Sequence, residues 1–335
     1  MPRHTFRKKI TSPELSEKIN KKNISLMKDF LKEKSIRASS KTIVVYESNL
    51  NIFFTWNLLY NENKFFIDIK KREFADFFVF AAEELKLGSA KMNNMRSVLS
   101  SLSNYIEKFY DEDYPNFRNV ILKVIDSSPK EVRREKTILT DEQIEDLLNY
   151  TYKANKQKAC WLALAITSGA RFSELLNFEV DLIDENRTAF GDIFLETTRQ
   201  IKTKGRGKSG KLLYKYILKD KFLPYFNEWK KEREEILLKN GLSHNKLFIK
   251  PDGSPATDAT IHAWTLEFEE YLKVPFYAHA IRHYFVTLLS RKNIPYHLIQ
   301  YIVGWSSADM VNIYDDSTIG EKKFPELENL RGALL

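Results

Sequence analysis

The sequence has very little cysteine and no long apolar run. Cys160 is the single cysteine among 335 residues, so it can build neither a disulfide framework nor a cysteine-and-histidine metal site. Its position in the apolar run ACWLALAI is typical of a small buried residue. No apolar run is long enough to span a bilayer, and the basic start MPRHTFRKKIT is not followed by the apolar segment of a signal peptide. We therefore expect a soluble protein of the reducing cytoplasm.

Charge of one sign is in modest excess. The chain carries 53 Lys and Arg residues against 45 Asp and Glu residues, a net charge of +8. This balance favours a polyanionic partner, although many soluble proteins are equally basic. Apolar residues make up 43% of the chain, enough for a packed core, and the length suggests two domains.

The spacing of apolar residues predicts four successive regions. Residues 1–22 are polar and basic and are interpreted as a loose arm, and residues 23–126 repeat apolar positions at helical spacing. Residues 127–137 are charged and poor in apolar residues, which predicts a linker. Residues 138–335 predict a second domain that ends in a tail. The predicted fold class is mainly α with a small antiparallel β-sheet.

Two features of the second domain support this division. Thr140 and Gln143 form a capping-box pattern at the predicted start of its first helix. The segments AFGDIFLETTRQIKT and KLLYKYIL predict a β-hairpin joined by the turn KGRGKSG. The Gly-x-Gly in that turn stands between two strands, so it does not predict a nucleotide-binding loop.

Two motifs of the second domain carry side chains suited to a phosphate. In TSGARFSELL, Arg171 follows a glycine turn at the start of a helix. In HAIRH, His279 and Arg282 share one helix face, where arginine offers a two-point contact and histidine a further donor or a proton relay. Each motif alone is common by chance. We expect His283 to face elsewhere and to pack as a core histidine.

A third motif, GWSSADMVNIY, places Trp305 nine residues before Tyr314. Ser306 is interpreted as an N-cap, with Asp309 in the capping-box position. A tyrosine between apolar neighbours is usually a packing residue, so this motif by itself indicates no chemistry.

In chain order, the motifs resemble the tyrosine recombinases of the phage integrase family. That family has an Arg in an SG-x-R-x-SEL helix start, a Lys in a β-hairpin, His-x-x-Arg on a later helix, and a Gly followed by His or Trp with a Tyr nine residues on. This chain reads SGARFSEL, KTKGRGKSGK, HAIRH and GWSSADMVNIY. The resemblance covers about residues 137–320 by motif. It extends to the first domain only by architecture, because the family places a helical core-binding domain there.

The resemblance implies a nucleophile and a phosphate clamp. Tyr314 would attack a scissile phosphodiester to give a 3′-phosphotyrosyl link and a free 5′-hydroxyl. Arg171 and Arg282 would bind the non-bridging oxygens and stabilise the transition state. His279 would act as a base or orient the phosphate. Trp305 stands where many relatives have a histidine, so its indole N–H could donate to the phosphate but could not shuttle a proton.

The remaining implied role is that of a general acid for the leaving 5′-oxygen. Lys204 is the candidate because KGRGK aligns with the KG turn of the family, and Lys202 and Lys208 stay as alternatives. Glu174 matches the acid of SEL and would brace the arginine region. This chemistry needs no metal and no other cofactor.

The implied function is a site-specific DNA recombinase, the integrase of a phage or other mobile element. Its partners would be double-stranded DNA and further copies of itself, as a tetramer on two DNA sites. The basic residues expected to contact DNA lie near helix starts, in the linker and in the hairpin turn: Lys41, Lys91, Arg96, Arg133, Arg134, Lys202, Arg206 and Lys208.

Two alternatives share much of this pattern. The first is a DNA-binding transcriptional regulator on a recombinase fold that has lost cleavage activity. The second is a type IB topoisomerase, whose chemistry uses the same residue types. The helical first domain and the Gly-Trp to Tyr spacing favour a recombinase over a topoisomerase.

Overall fold

The computed structural model describes residues 8–127, 137–203 and 210–316. They form two compact units, the first from residues 8–127 and the second from residues 137–203 together with 210–316. Both units are mainly helical, and within the described ranges β-strands occur only in the second, which confirms the predicted fold class. No helix in these ranges is both long and apolar enough to cross a membrane. Most of the predicted linker, and the tail from residue 317 onward, lie outside the described residues.

The first unit consists of six α-helices and one short 3-10 turn at Phe66–Asp68 in the residues described. The helices are α1 (Pro13–Lys18), α2 (Lys21–Arg37), α3 (Ser40–Tyr60), α4 (Lys71–Glu83), α5 (Ser89–Phe109) and α6 (Ile121–Val124).

Part of the predicted N-terminal arm is ordered into this unit. Helix α1 begins after Ser12, whose hydroxyl accepts a hydrogen bond from the backbone N–H of Leu15 at 3.3 Å. Ile19, directly after α1, is 2% exposed and belongs to the core of the unit. The interpretation of residues 1–22 as a loose arm is therefore wrong for this stretch, because an apolar side chain two positions before α2 anchors it.

Aromatic rings fill the centre of the first unit. The ring of Phe53 lies between 4.9 and 5.9 Å, centroid to centroid, from rings on α3, on α4 and in the 3-10 turn. Its neighbours are Phe54, Trp56, Phe66, Phe74 and Phe77, none more than 4% exposed. Edge-to-face and stacked pairs of this kind add to the free energy gained by burial alone.

The second unit surrounds one buried helix. Its helices are α7 (Asp141–Ala154), α8 (Lys156–Ser168), α9 (Phe172–Leu175), α10 (Lys219–Lys239), α11 (Asp258–Leu272), α12 (Ala278–Arg291), α13 (Tyr296–Val303) and α14 (Asp309–Tyr314), with a 3-10 turn at Val180–Leu182. Nearly every side chain of α8 is buried, because α7, α10 and α12 all pack against it. Helix α7 begins with the predicted capping box, since Thr140 and Gln143 exchange hydrogen bonds of 3.0 and 3.1 Å.

The strands of the second unit form two small antiparallel sheets. The strands are β1 (Thr188–Ala189), β2 (Phe194–Glu196), β3 (Ile201–Thr203), β4 (Lys211–Leu213) and β5 (Tyr216–Leu218). One sheet has the order β1-β2-β5, and the other pairs β3 with β4, Thr203 opposite Lys211. The predicted hairpin is thus present, as two short ladders in place of one long one.

Candidate active site

The end of α8 determines where Arg171 lies. The helix stops at Gly169, whose φ of +55° is in the left-handed region that favours glycine. A Cβ on this residue would lie 2.4 Å from Cδ1 of Phe285 on α12. Glycine therefore both ends α8 and lets the chain approach α12 closely. Two residues later, Arg171 becomes the N-cap of α9.

Glu174 is a buried carboxylate with three donors around it. Its Oε1 accepts from Nη1 of Arg171 at 2.8 Å, and its Oε2 accepts from the backbone N–H of Arg171 at 3.0 Å. Nζ of Lys215 lies 2.8 Å from the same Oε2, and the Glu174 and Lys215 side chains are each 1% exposed. Burial alone would raise the pKa of Glu174, but Lys215 and Arg171 outweigh it and hold the pKa below its usual value. Glu174 is therefore ionised at neutral pH and holds the side chain of Arg171.

Helix α12 carries Arg282 and His279 one turn apart. Arg282 is 1% exposed, and its Nη1 donates to the carbonyl of Gly169. Burial and the nearby charge of Arg171 lower the pKa of Arg282 to about 10, while Glu174 and Tyr314 oppose that shift. The guanidinium therefore keeps its charge at neutral pH. His279 is exposed, with its ring centroid 6.5 Å from that of Tyr314.

Tyr314 lies at the end of α14, beside Trp305 and Arg282. Helix α13 ends at Gly304 with a φ of +78°, and the chain then buries Trp305. The rings of Trp305 and Tyr314 are 4.9 Å apart. Cζ of Arg282 lies 4.9 Å from the Trp305 ring centroid and 5.6 Å from that of Tyr314. The structure thus brings together Arg171, His279, Arg282, Trp305 and Tyr314.

Helix α14 begins later than the sequence predicts. Its N-cap is Ala308 and not Ser306, and its first residue is Asp309. Ser307 takes part instead, since its hydroxyl accepts from the backbone N–H of Asp309 at 3.2 Å. Ser307, one position after Ser306, therefore supplies the hydroxyl that binds a backbone N–H in the first turn of α14.

The residue that follows Tyr314 is tied to α12 and α13. Oδ2 of Asp315 accepts from the hydroxyl of Ser290 at 2.6 Å and from the hydroxyl of Tyr296 at 3.1 Å. Two anchors on separate helices thus fix the chain directly behind the tyrosine.

His283 contacts Tyr314, contrary to the prediction that it faces elsewhere. Its ring stacks on that of Tyr314 with centroids 4.5 Å apart, and its Nδ1 lies 3.1 Å from the Tyr314 carbonyl oxygen and 3.1 Å from Oδ2 of Asp316. Both neighbours are acceptors, so Nδ1 carries the proton. The prediction failed because His283 is four residues after His279, which places the two rings on the same side of α12.

Three buried donors beside Tyr314 have no hydrogen-bond partner among the described residues. They are Nε and Nη2 of Arg282 and Nε1 of Trp305. Nζ of Lys215 makes no well-aligned hydrogen bond there either, although it lies at ion-pair distance from Glu174. A buried donor without an acceptor costs about 1 to 3 kcal/mol. Their position beside Tyr314 and Arg171 marks a place for an anionic group with several oxygens, such as a phosphate.

Two of the predicted basic residues are exposed on regular elements, and others lie outside the described residues. Lys202 is an exposed residue of β3, and Lys41 is exposed near the start of α3. The other basic residues of the hairpin turn and linker fall outside the described residues: Lys204, Arg206, Lys208, Arg133 and Arg134.

Lys91 and Arg96 make contacts within their own unit. Nζ of Lys91 donates to Oδ1 of Asn49. The guanidinium of Arg96 donates to the carbonyls of Leu122, at 3.2 Å, and Ile125. Arg96 thus fastens the chain around α6 to α5, and DNA contact by either residue stays a prediction.

Sequence reasoning missed Lys215 and the aspartates behind the tyrosine. Lys215 stands in KLLYKYIL between apolar and aromatic residues, a weak signal that this segment buries its lysine. Within the described ranges, no group of three or more His, Cys, Asp or Glu side chains is arranged to hold a metal ion.

Comparison with known proteins agrees with this geometry. Residues 137–320 match the phage integrase family. A tyrosine recombinase of Pseudothermotoga lettingae is 22% identical over 302 residues, covering 88% of this chain and 93% of the relative. The tyrosine recombinase XerH of Helicobacter pylori is 26% identical over 243 residues, covering 68% of this chain and 62% of the relative.

Solved structures show the same fold. The Tn1549 transposon integrase in complex with transposon right end DNA superimposes with a TM-score of 0.67 at 17% identity, covering 92% of this chain and 99% of that one. XerH bound to a palindromic difH substrate superimposes with a TM-score of 0.63 at 21% identity, covering 88% of this chain and 79% of that one. Because the family match spans more than half of its residues, this chain belongs to the phage integrase family and is a tyrosine recombinase.

Proposed function

We propose that this recombinase cuts and rejoins double-stranded DNA through a covalent link between Tyr314 and a 3′-phosphate. The phenolic oxygen of Tyr314 loses its proton and attacks the phosphorus, the bond from phosphorus to the 5′-oxygen breaks, and that oxygen takes up a proton. The ester keeps the energy of the broken bond, so an incoming 5′-hydroxyl reverses the reaction. No water, metal ion or nucleotide is consumed.

The observation that carries this proposal is the group of unpartnered buried donors beside Tyr314. Arg282 contributes Nε and Nη2, and Trp305 contributes Nε1. A phosphodiester supplies two non-bridging oxygens with several lone pairs and a negative charge. Donors fixed in advance around the developing charge of the transition state lower the barrier, because they need no reorganisation during the reaction.

The roles of the surrounding residues follow from their chemistry. Arg171, held by Glu174, binds the same phosphate as Arg282. His279, exposed at the mouth of the cluster, acts as a base or orients the phosphate. A lysine of the hairpin turn protonates the leaving oxygen. Lys204 is our first candidate for that acid, with Lys202 and Lys208 as alternatives.

The proposed substrate is a pair of DNA sites bound by four copies of the protein. The Tn1549 integrase and XerH structures contain DNA, and they share the fold of this chain. Phosphate contacts from the predicted basic residues would hold the duplex in a salt-dependent way. We place the reaction in the cytoplasm, where a phage or other mobile element meets its target DNA.

A nicked suicide substrate tests the proposal. DNA flanking the gene, nicked near the cut site, is incubated with the wild type and with Tyr314→Phe, and covalent complexes are separated on a denaturing gel. We expect an adduct with the wild type and none with the variant, although both bind the DNA. Binding without an adduct from either protein would favour the non-cutting regulator. Relaxation of supercoils without exchange between paired sites would favour the topoisomerase.

A further inference from the structure

Lys215 is a buried lysine in the loop between β4 and β5. Its side chain is 1% exposed. Its backbone is fixed on both sides by Thr197, since Lys215 N–H donates to the Thr197 hydroxyl and Thr197 N–H donates to the Lys215 carbonyl, each at 3.0 Å. The loop therefore fixes the position of the ammonium group within the second unit.

Three charged side chains act on the ammonium group of Lys215. Glu174 is its ion-pair partner at 2.8 Å, while the charges of Arg171 and Arg282 are both close enough to act against it. Burial lowers the pKa of Lys215, Glu174 raises it, and the two arginines lower it further. Three cations thus face one carboxylate among the described residues. This arrangement favours the entry of an anion and keeps Glu174 ionised.

We propose that Lys215 is a positioning residue for DNA cleavage: its ammonium keeps Glu174 ionised, and Glu174 holds the guanidinium of Arg171 on the scissile phosphate. The chain of contacts runs from Nζ of Lys215 to Oε2 of Glu174 and from Oε1 of Glu174 to Nη1 of Arg171. Lys215 acts through these two residues and need not touch DNA. The inference rests on the proposed function, since it concerns the same cleavage step.

The pH profile of cleavage tests the proposal. Lys215→Met removes the charge and keeps most of the length of the side chain, so burial raises the pKa of Glu174 with only Arg171 left as its close partner. We expect the acid limb of the cleavage rate to move upward by about one pH unit or more, because protonated Glu174 no longer holds Arg171 firmly. Below that limb the rate should fall about tenfold per pH unit. If the acid limb and the cleavage rate of Lys215→Met both equalled those of the wild type, the proposal would be overturned.

Two further variants separate this role from a merely structural one. Lys215→Arg restores the charge and should return the acid limb toward the wild-type position. The double variant Glu174→Gln with Lys215→Met removes both charges, so neither residue leaves an unpaired buried ion. We expect this variant to cleave slowly, and its pH profile should lack the acid limb that the titration of Glu174 causes. If Lys215→Met does not fold, this double variant still decides the matter, since wild-type cleavage by it would contradict the proposal.

A modified substrate tests whether Lys215 is itself the acid. In DNA with sulfur in place of the bridging 5′-oxygen, the leaving thiolate needs no proton. The defect of Lys215→Met should persist on this substrate, because Arg171 is still poorly held. A return to the wild-type rate would show that Lys215 donates the proton, which overturns the positioning role.

The matched control is Lys64→Met in the first unit, which breaks a Lys–Glu pair of 2.6 Å at a partly exposed site. It should leave the pH profile unchanged, and a shift like that of Lys215→Met would contradict the proposal. Failure of the proposed function is distinguishable, because the wild type itself would then form no adduct.

Discussion

The two units bury polar groups of different kinds. Every buried polar residue in the described part of the first unit is neutral, and asparagines such as Asn23 and Asn57 bind backbone groups, each donating to the Lys64 carbonyl at 2.8 Å. The described part of the second unit also buries four charged residues: Glu174, Lys215, Arg233 and Arg282.

The buried charges of the second unit differ in how fully they are satisfied. Arg233 is in α10, and its Nε donates to the Lys246 carbonyl at 2.7 Å, with a further bond to the carbonyl of His244. Arg282 instead keeps two donors without a partner among the described residues. Burying ions rarely adds stability, so charges left partly unsatisfied beside a tyrosine point to ligand binding.

A core substitution in the first unit should have the largest effect on stability. Phe53→Ala removes the ring at the centre of the aromatic cluster and should lower the free energy of unfolding by about 3 to 5 kcal/mol. Chemical denaturation of the full chain measures this loss. Where the variant is folded, its adduct should form at the wild-type rate. A large loss of cleavage in the folded variant would contradict the view that the core of the first unit affects stability and not the chemical step.

A buried charge in the second unit should affect chemistry instead. Arg282→Lys keeps a positive charge but loses the planar fork that binds the Gly169 carbonyl and, in the proposed function, the phosphate. We expect adduct formation to slow by about 10²- to 10³-fold, with binding to the same DNA retained. Single-turnover cleavage under saturating protein measures this change, and a rate within a few-fold of wild type would argue against phosphate contact by Arg282.

Acid pH should distinguish the carboxylates of the two units. The pKa of Glu174 is lowered in the folded protein, so its ionised form stabilises the fold above the usual glutamate pKa of 4.5, and this stability is lost as pH falls through the lower folded value. Glu174→Gln removes that pH dependence, so unfolding free energies measured from pH 6 to pH 3 should fall less steeply than in the wild type.

The matched variant for this comparison is Glu73→Gln in the first unit. The pKa of Glu73 is also lowered, because Lys64 and the Lys70 backbone N–H outweigh the opposing effect of burial. Its site is much less buried, so solvent screens the pair and the change in slope should be smaller. If both variants changed the slope of unfolding free energy against pH by the same amount, burial would not be the cause of the expected difference between Glu174 and Glu73.

The anchor behind the tyrosine should have the smallest effect. Ser290→Ala removes the 2.6 Å hydrogen bond to Asp315 and should lower stability by about 1 kcal/mol. If the anchor positions Tyr314, the cleavage rate should fall several-fold at an unchanged affinity for DNA. Thr265→Ala, another buried hydroxyl of the second unit, is the control and should leave cleavage unchanged.

The motifs that resemble the phage integrase family were enough to predict the cluster around Tyr314 but not its supports. Arg171, His279, Arg282, Trp305 and Tyr314 stand in short motifs whose order and spacing are informative, and the structure brings them together. Lys215 gave no comparable signal, because its partner Glu174 is 41 residues away in the chain. His283 was misjudged although its spacing of four residues from His279 places both rings on one side of α12.

The sequence by itself determined the helical character of the chain, the hairpin, the capping of α7 and the residue types of the site. These features depend on neighbours within a few positions, where periodicity, caps and glycine turns act directly. Only the tertiary structure decided that a lysine of the β4–β5 loop neutralises Glu174 and that Arg282 and Trp305 keep buried donors without a partner in the described ranges. Such pairings depend on which distant segments pack together, and burial then fixes the charge and hydrogen bonding of each group.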